Sequence, residues 1–146
     1  MELSDAKQIK GIFRLWVKDA TGKVLEQYED LNLVVNTGRT QASKLLGGDV
    51  TNRHVNRISF GTNGSAPALG DTAITGPFNK NVSLVSYPSA GVVKFDWSLE
   101  LAENNGVTIR EYGLLCADGV LFARKTRAAI DKTSAIRLEG SWQIEY

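Results

Sequence analysis

Two stretches of the sequence alternate so strictly between apolar and polar residues that a strand is the one element able to satisfy both faces. From Val92 to Leu101 the residues Val93, Phe95, Trp97, Leu99 and Leu101 interleave with Lys94, Asp96, Ser98 and Glu100. From Ile136 to Tyr146, Ile136, Leu138, Trp142, Ile144 and Tyr146 interleave with Arg137, Glu139, Ser141, Gln143 and Glu145. Successive side chains of a strand point to opposite faces, so each stretch has one face for a core and one for water. A slip of one residue would bury Lys94 and Asp96, which fixes the register.

Weaker alternation marks further strands. Ile9 to Lys18 places Ile9, Gly11, Phe13, Leu15 and Val17 on one face, with Trp16 among Ile12, Arg14 and Lys18 on the other. Asp19–Gly22 reads as a turn, and Lys23 to about Val35 returns, giving a hairpin over about 8–35. Val55–Phe60, Lys80–Tyr87, Val107–Cys116 and Val120–Lys125 read as strands, and Gly61–Gly70 as a long ordered loop. One segment, about 37–47, reads as a helix: Asn36 or Thr37 for its cap, Ala42, Leu45 and Leu46 on one face, Gly47 and Gly48 to stop it. The expected fold is all-β, an antiparallel β-sandwich or jelly-roll-like barrel with one short α-helix, spanning 1–146 as a single domain.

Composition narrows the function. The chain has 146 residues and a net charge of +1, which speaks against a generally cationic nucleic-acid binder. One Cys and one His leave neither an internal disulfide nor a Cys/His zinc set. No apolar run approaches the ~18 residues of a membrane span, and Met1–Lys7 lacks the apolar stretch of a signal peptide. The expectation is therefore a chain made in a cytoplasm, with no membrane contact, cofactor or metal.

No catalytic constellation stands out. His54 reads as a loop or edge residue, and Cys116 as a small buried hydrophobe. Gly61–Gly64 lacks the Lys-Ser/Thr of a phosphate loop, and Asp49, Asp71 and Asp118 fit no calcium-loop spacing. Glu111 shares by alternation the inward face of Val107 and Ile109. A carboxylate there needs a partner, such as loop amides or Arg124. Trp97 and Trp142 fall on apolar faces and read as core. Trp16 is the candidate for an exposed contact. Charge is uneven: Arg124, Lys125, Arg127, Lys132 and Arg137 stand against Asp131 alone, while Asp19, Glu26, Glu29 and Asp30 stand against Lys23 alone. These patches read either as solvated loops or as surfaces that meet between neighbouring copies, with Trp16, Glu29, Asp30, Arg124, Lys125 and Arg127 as candidate interface residues.

Several segments taken in order resemble a known group. They are Asn32–Arg39 (NLVVNTGR), a short helix ending in Leu45–Gly48, Ile58–Pro67 (ISFGTNGSAP) with Asp71-Thr-Ala, Asn105–Leu115 (NGVTIREYGLL), Asp118–Arg124 (DGVLFAR), Lys132, and a closing strand that ends in an aromatic residue. Over roughly residues 30–146 this resembles small structural proteins of tailed bacteriophages and prophages. The resemblance implies a β-sandwich virion subunit without enzymatic activity, of the tail, baseplate, fibre-attachment, collar or decoration type. It would be made in the host cytoplasm and located in the virion, with copies of itself and other virion proteins as partners. The alternative is a host-surface glycan-binding or receptor-binding module. A third class, a nucleic-acid binder, predicts steeply salt-dependent DNA affinity.

Overall fold

The computed structural model describes residues 9–146, and it is mostly antiparallel β with one helix. The elements in order are β1 (Lys10–Asp19), β2 (Val24–Val34), α1 (Asn36–Gly47), β3 (Val55–Gly61), β4 (Phe78–Asn81), β5 (Leu84–Ser86), β6 (Val92–Leu99), β7 (Thr108–Cys116), β8 (Leu121–Asp131) and β9 (Ile136–Glu145). They form one sheet in the order β4-β3-β7-β8-β2-β1-β9-β6-β5.

The sheet curls until its two halves face each other. Phe13 and Trp97 from one half meet Phe60 and Tyr112 from the other, with ring centroids 4.9 Å apart for Phe13–Tyr112 and 5.5 Å for Phe60–Trp97, and Trp142 packs edge-on to Phe13. Strands β6 and β9 carry the central part of the expected stripes, where Phe95 opposes Trp142 and Leu99 opposes Leu138, all buried, whereas Leu101 falls in the turn after β6 and Tyr146 past β9 is exposed. Aromatic and aliphatic burial together stabilise this core, at roughly 1.5–3 kcal/mol per fully buried large side chain.

Each corner of the curl has its own join. At one, β2 leaves β1 and pairs with β8 through Leu33 and Val34 only. At the other, the segment expected as a single strand from Lys80 to Tyr87 divides into β4 and β5, which lie on opposite edges of the sheet. The crossing takes two residues. Val82 N–H donates to Asn56 O (3.0 Å) on β3, and Ser83 N–H donates to Asp96 O (2.8 Å) on β6. The two sheet edges are thus held together by consecutive amides, and each edge strand is very short, which limits pairing with foreign strands.

The helix begins at Asn36, with Val35 in the capping position and no side-chain cap. Thr37, expected as a cap, instead donates its hydroxyl to Leu121 O (2.7 Å), tying the first turn to β8. Gly48 closes the helix at φ 76°, a left-handed conformation that costs a glycine little. The expected apolar face needs correction. Gly38 and Gln41 are buried and Ala42 and Leu45 partly so, whereas Leu46 is 91% exposed. Among the described residues no helix is long and apolar enough to cross a membrane.

Candidate functional site

Strand β7 serves two cores. Tyr112, Leu114 and Cys116 face the main core, while Leu115 faces a small second core with Val35, Ile74 and Leu121. The loop of residues 62–77 carries Ile74 into that second core. Gly113 makes this approach feasible: a Cβ there would lie 2.8 Å from Ile74.

Glu111 sits beneath this loop, and its expected face is wrong. The β7–β8 pairing shifts register between Ile109 and Glu111, so Ile109 and Tyr112 both reach the main core and Glu111 turns to the opposite side. The carboxylate is 0% exposed. Its Oε2 accepts from Asn63 N–H (2.7 Å) and Thr75 N–H (3.1 Å), and its Oε1 accepts from Arg124 Nε (3.0 Å). Arg124 continues the network by donating to Asp71 Oδ2 (2.9 Å) and to Asn63 O (2.9 Å). Asp71 also accepts from Ala68 N–H, and that bond, ahead of Arg124, keeps its carboxyl below the usual range against the cost of burial. The chemistry is that of a strap. Every bond of Glu111 and Arg124 holds loop backbone or a partner charge, and a buried ion pair satisfied this fully fixes one arrangement of the chain.

The candidate interface charges are engaged within the chain. Arg124 is 2% exposed and belongs to the strap, so it is not a surface group. Lys125 is buried and donates to Asp30 Oδ2 (2.7 Å) and Leu31 O (3.0 Å); the Lys125 bond is the main reason the Asp30 carboxyl lies below its ordinary value. Arg127 pairs with Glu26 and lies over the Tyr28 ring, 4.8 Å from its centroid. The physical reason is the corner described above. Strands β2 and β8 share only two residue pairs and then diverge, and these acidic and basic side chains span the gap. Two pairs, Lys125–Asp30 and Arg127–Glu26, thus join the basic stretch to the acidic one inside one molecule. Glu29, likewise, takes Arg14 Nε at 2.6 Å.

Trp16 is half-buried on the outer face of β1. It borders a groove of about 600 Å³ with Arg14, Asp96, Ser98, Glu139 and Ser141. His54 is exposed. Cys116 is buried, which raises its thiol pKa to about 12. No group of three or more His, Cys, Asp or Glu suited to a metal occurs among the described residues.

Sequence reasoning missed the end of the molecule beside α1. Tyr146 (59% exposed) borders three adjoining hollows there. One, of about 270 Å³, is lined by Ala42, Leu45, Val85, Phe95, Phe122 and Ile144 among others. Leu46 and Tyr87 (77% exposed) stand on the rims of the other two. The available signal pointed elsewhere: Leu46 was expected on the buried helical face, and Tyr87 at the end of the strand Lys80–Tyr87, whereas β5 ends at Ser86. Comparison of the chain with family models, with curated proteins and with solved structures finds no match.

Proposed function

We propose that the chain is a non-enzymatic structural subunit of a tailed-phage virion that packs against copies of itself. We read its curled sheet as a flattened barrel of the sandwich class. The observation that carries the proposal is the apolar end around Tyr146. Leu46, Tyr87 and Val85 all stand exposed there, beside a pocket with almost no polar lining. Contiguous apolar surface of this kind is kept by chains that cover it with a partner. A copy of the same chain suits it because an apolar patch carried by every copy can be covered by the same patch of another. The resemblance of residues 30–146 supplies the virion context, and the strapped loop and double core suit a part that must hold its shape.

The test is sedimentation of the purified chain over a wide concentration range, beside Leu46→Glu and Tyr87→Ser, together with a map of the intact particle. The expected result is self-association weakened at least tenfold in both variants, and this end covered in the particle. A chain that stays monomeric throughout, with Tyr146 and Leu46 facing solvent in the particle, would overturn the reading.

A further inference from the structure

The outer face of β1, β9 and β6 presents a second surface with different chemistry. Two rows of side chains cross these strands in register. Asp96, Ser141 and Arg14 form one row, and Ser98, Glu139 and Trp16 form the next. Neighbouring strands lie about 4.8 Å apart, so each row spaces its groups at that interval. Ser141 is the short residue in its row, and with longer side chains on both sides it makes the floor of the groove of about 600 Å³. Its Oγ is buried and bonds no group among the described residues. Trp16 stands diagonally beside it.

The charges around the groove cancel. Arg14 pairs with Glu29, Lys18 with Glu139, Arg137 with both Glu100 and Glu139, and Lys94 lies 3.7 Å from Asp96. Four cations and four carboxylates face one another, and the groove holds many hydrogen-bonding groups with little net field. An anionic or cationic ligand gains nothing from such balance. An extended peptide has no edge to join, because β1, β9 and β6 are each paired on both sides. The groups left to meet a ligand are the Trp16 indole, the Asp96 carboxylate, the Nη2 of Arg14, whose Nε and Nη1 go to Glu29 and Gln143, and the Ser141 hydroxyl.

We infer that this groove is a binding site for a neutral saccharide. Trp16 supplies the apolar ring on which the C–H face of a sugar stacks. Asp96 accepts from sugar hydroxyls, and Arg14, held by Glu29, donates to them through Nη2. The Ser141 hydroxyl reaches the ligand from the floor. The inference stands apart from the self-association proposed above, since it uses the side of the sheet and not the end beside α1.

The experiment is a ¹⁵N–¹H titration of the full chain with methyl glycosides of glucose, galactose, rhamnose and N-acetylglucosamine and with their disaccharides. N-acetylneuraminic acid and a sulfated oligosaccharide serve as charged probes. The expected result is saturable shifts for at least one neutral sugar, centred on residues 14, 16, 96 and 141. Trp16→Ala should weaken this binding at least tenfold, equivalent to about 1.4 kcal/mol. Ser141→Val, which fills the floor with a residue suited to strands, should weaken it with the spectrum of the fold unchanged. Trp16→Phe, retaining a ring, should bind between wild type and Trp16→Ala. Absence of saturable shifts with every neutral sugar would overturn the inference. So would shifts indifferent to both Trp16→Ala and Ser141→Val, or tighter binding of the charged probes that collapses with salt.

Discussion

Gly140 of β9 lies directly opposite Trp97 of β6, and the indole occupies the space a side chain at 140 would take. A Cβ on Gly140 would stand 2.4 Å from Trp97 Cζ2 and 2.2 Å from Arg14 O. The largest core residue is accommodated by the smallest one beside it.

Gly140→Ala is therefore expected to destabilise the fold by about 1–3 kcal/mol or more, because backbone and a packed ring both stand in the way. Trp97→Ala should cost about 3–5 kcal/mol by opening a cavity. Combining the two should cost less than their sum, since the alanine then meets vacated space. Urea unfolding of the three variants measures this, and strict additivity would show that Trp97 and residue 140 do not share the space.

Arg124→Met would leave Glu111 buried without its cation, at an expected loss of about 3–5 kcal/mol. Glu111→Gln keeps the shape but sets an amide N–H₂ against Arg124 Nε, or against the two loop amides if it flips. It should also destabilise, and the loop of residues 62–77 should become sensitive to protease. Limited proteolysis under native conditions reads this directly; a loop that resists cleavage in both variants would contradict the strap.

The pairs across the β2–β8 corner predict coupling within one molecule. In a double-mutant cycle, Asp30→Asn and Lys125→Met should couple by roughly 0–1 kcal/mol, because Asp30 is more than half exposed on its side chain. Self-association should be unchanged in every member of the cycle. Sedimentation that responds to these charges would return them to an interface between copies.

Acid should weaken the fold in a defined window. Glu100 has its carboxyl lowered from 4.5 to about 2, chiefly by hydrogen bonds from Arg137, and Asp30 is lowered by Lys125. A folded-state pKa below the unfolded one means stability that is fully present above about 4.5 and is lost as pH falls towards 2. The Glu100 contribution is reduced by solvent screening at its half-exposed side chain. Glu100→Gln should flatten the fall in melting temperature across this window by lowering it at pH 7 and leaving it nearly unaffected near pH 2; an unchanged slope would count against it.

Cys116 should be inert to a thiol reagent in the native state, as burial raises its pKa to about 12. Reaction should appear only as the chain unfolds. Prompt labelling of the folded protein would contradict its placement between the sheet halves.

The legible parts of the fold are those with local causes. Strands β6 and β9 are readable because their alternation permits one register, and Glu111 declared its need for a partner because a carboxylate stood among apolar residues. What stayed hidden depends on distant geometry. The corner at Val82–Ser83 has no glycine or proline to mark it, so β4 and β5 read as one strand. The turn of Glu111 to the far face follows from a register shift against β8, which leaves no mark in the β7 sequence. The charge patches were visible as composition, but that Lys125 and Arg127 find Asp30 and Glu26 inside the chain follows from β2 and β8 parting after two residue pairs.

The position of β9 between β1 and β6 has a consequence in time. During synthesis the first hairpin emerges early, yet one whole side of β1 stays bare while everything from α1 to β8 is made. The same strand is the missing neighbour of β6. A nascent chain therefore holds two incomplete half-structures, each with an open apolar face, until residues 136–145 leave the ribosome and join them in a single event.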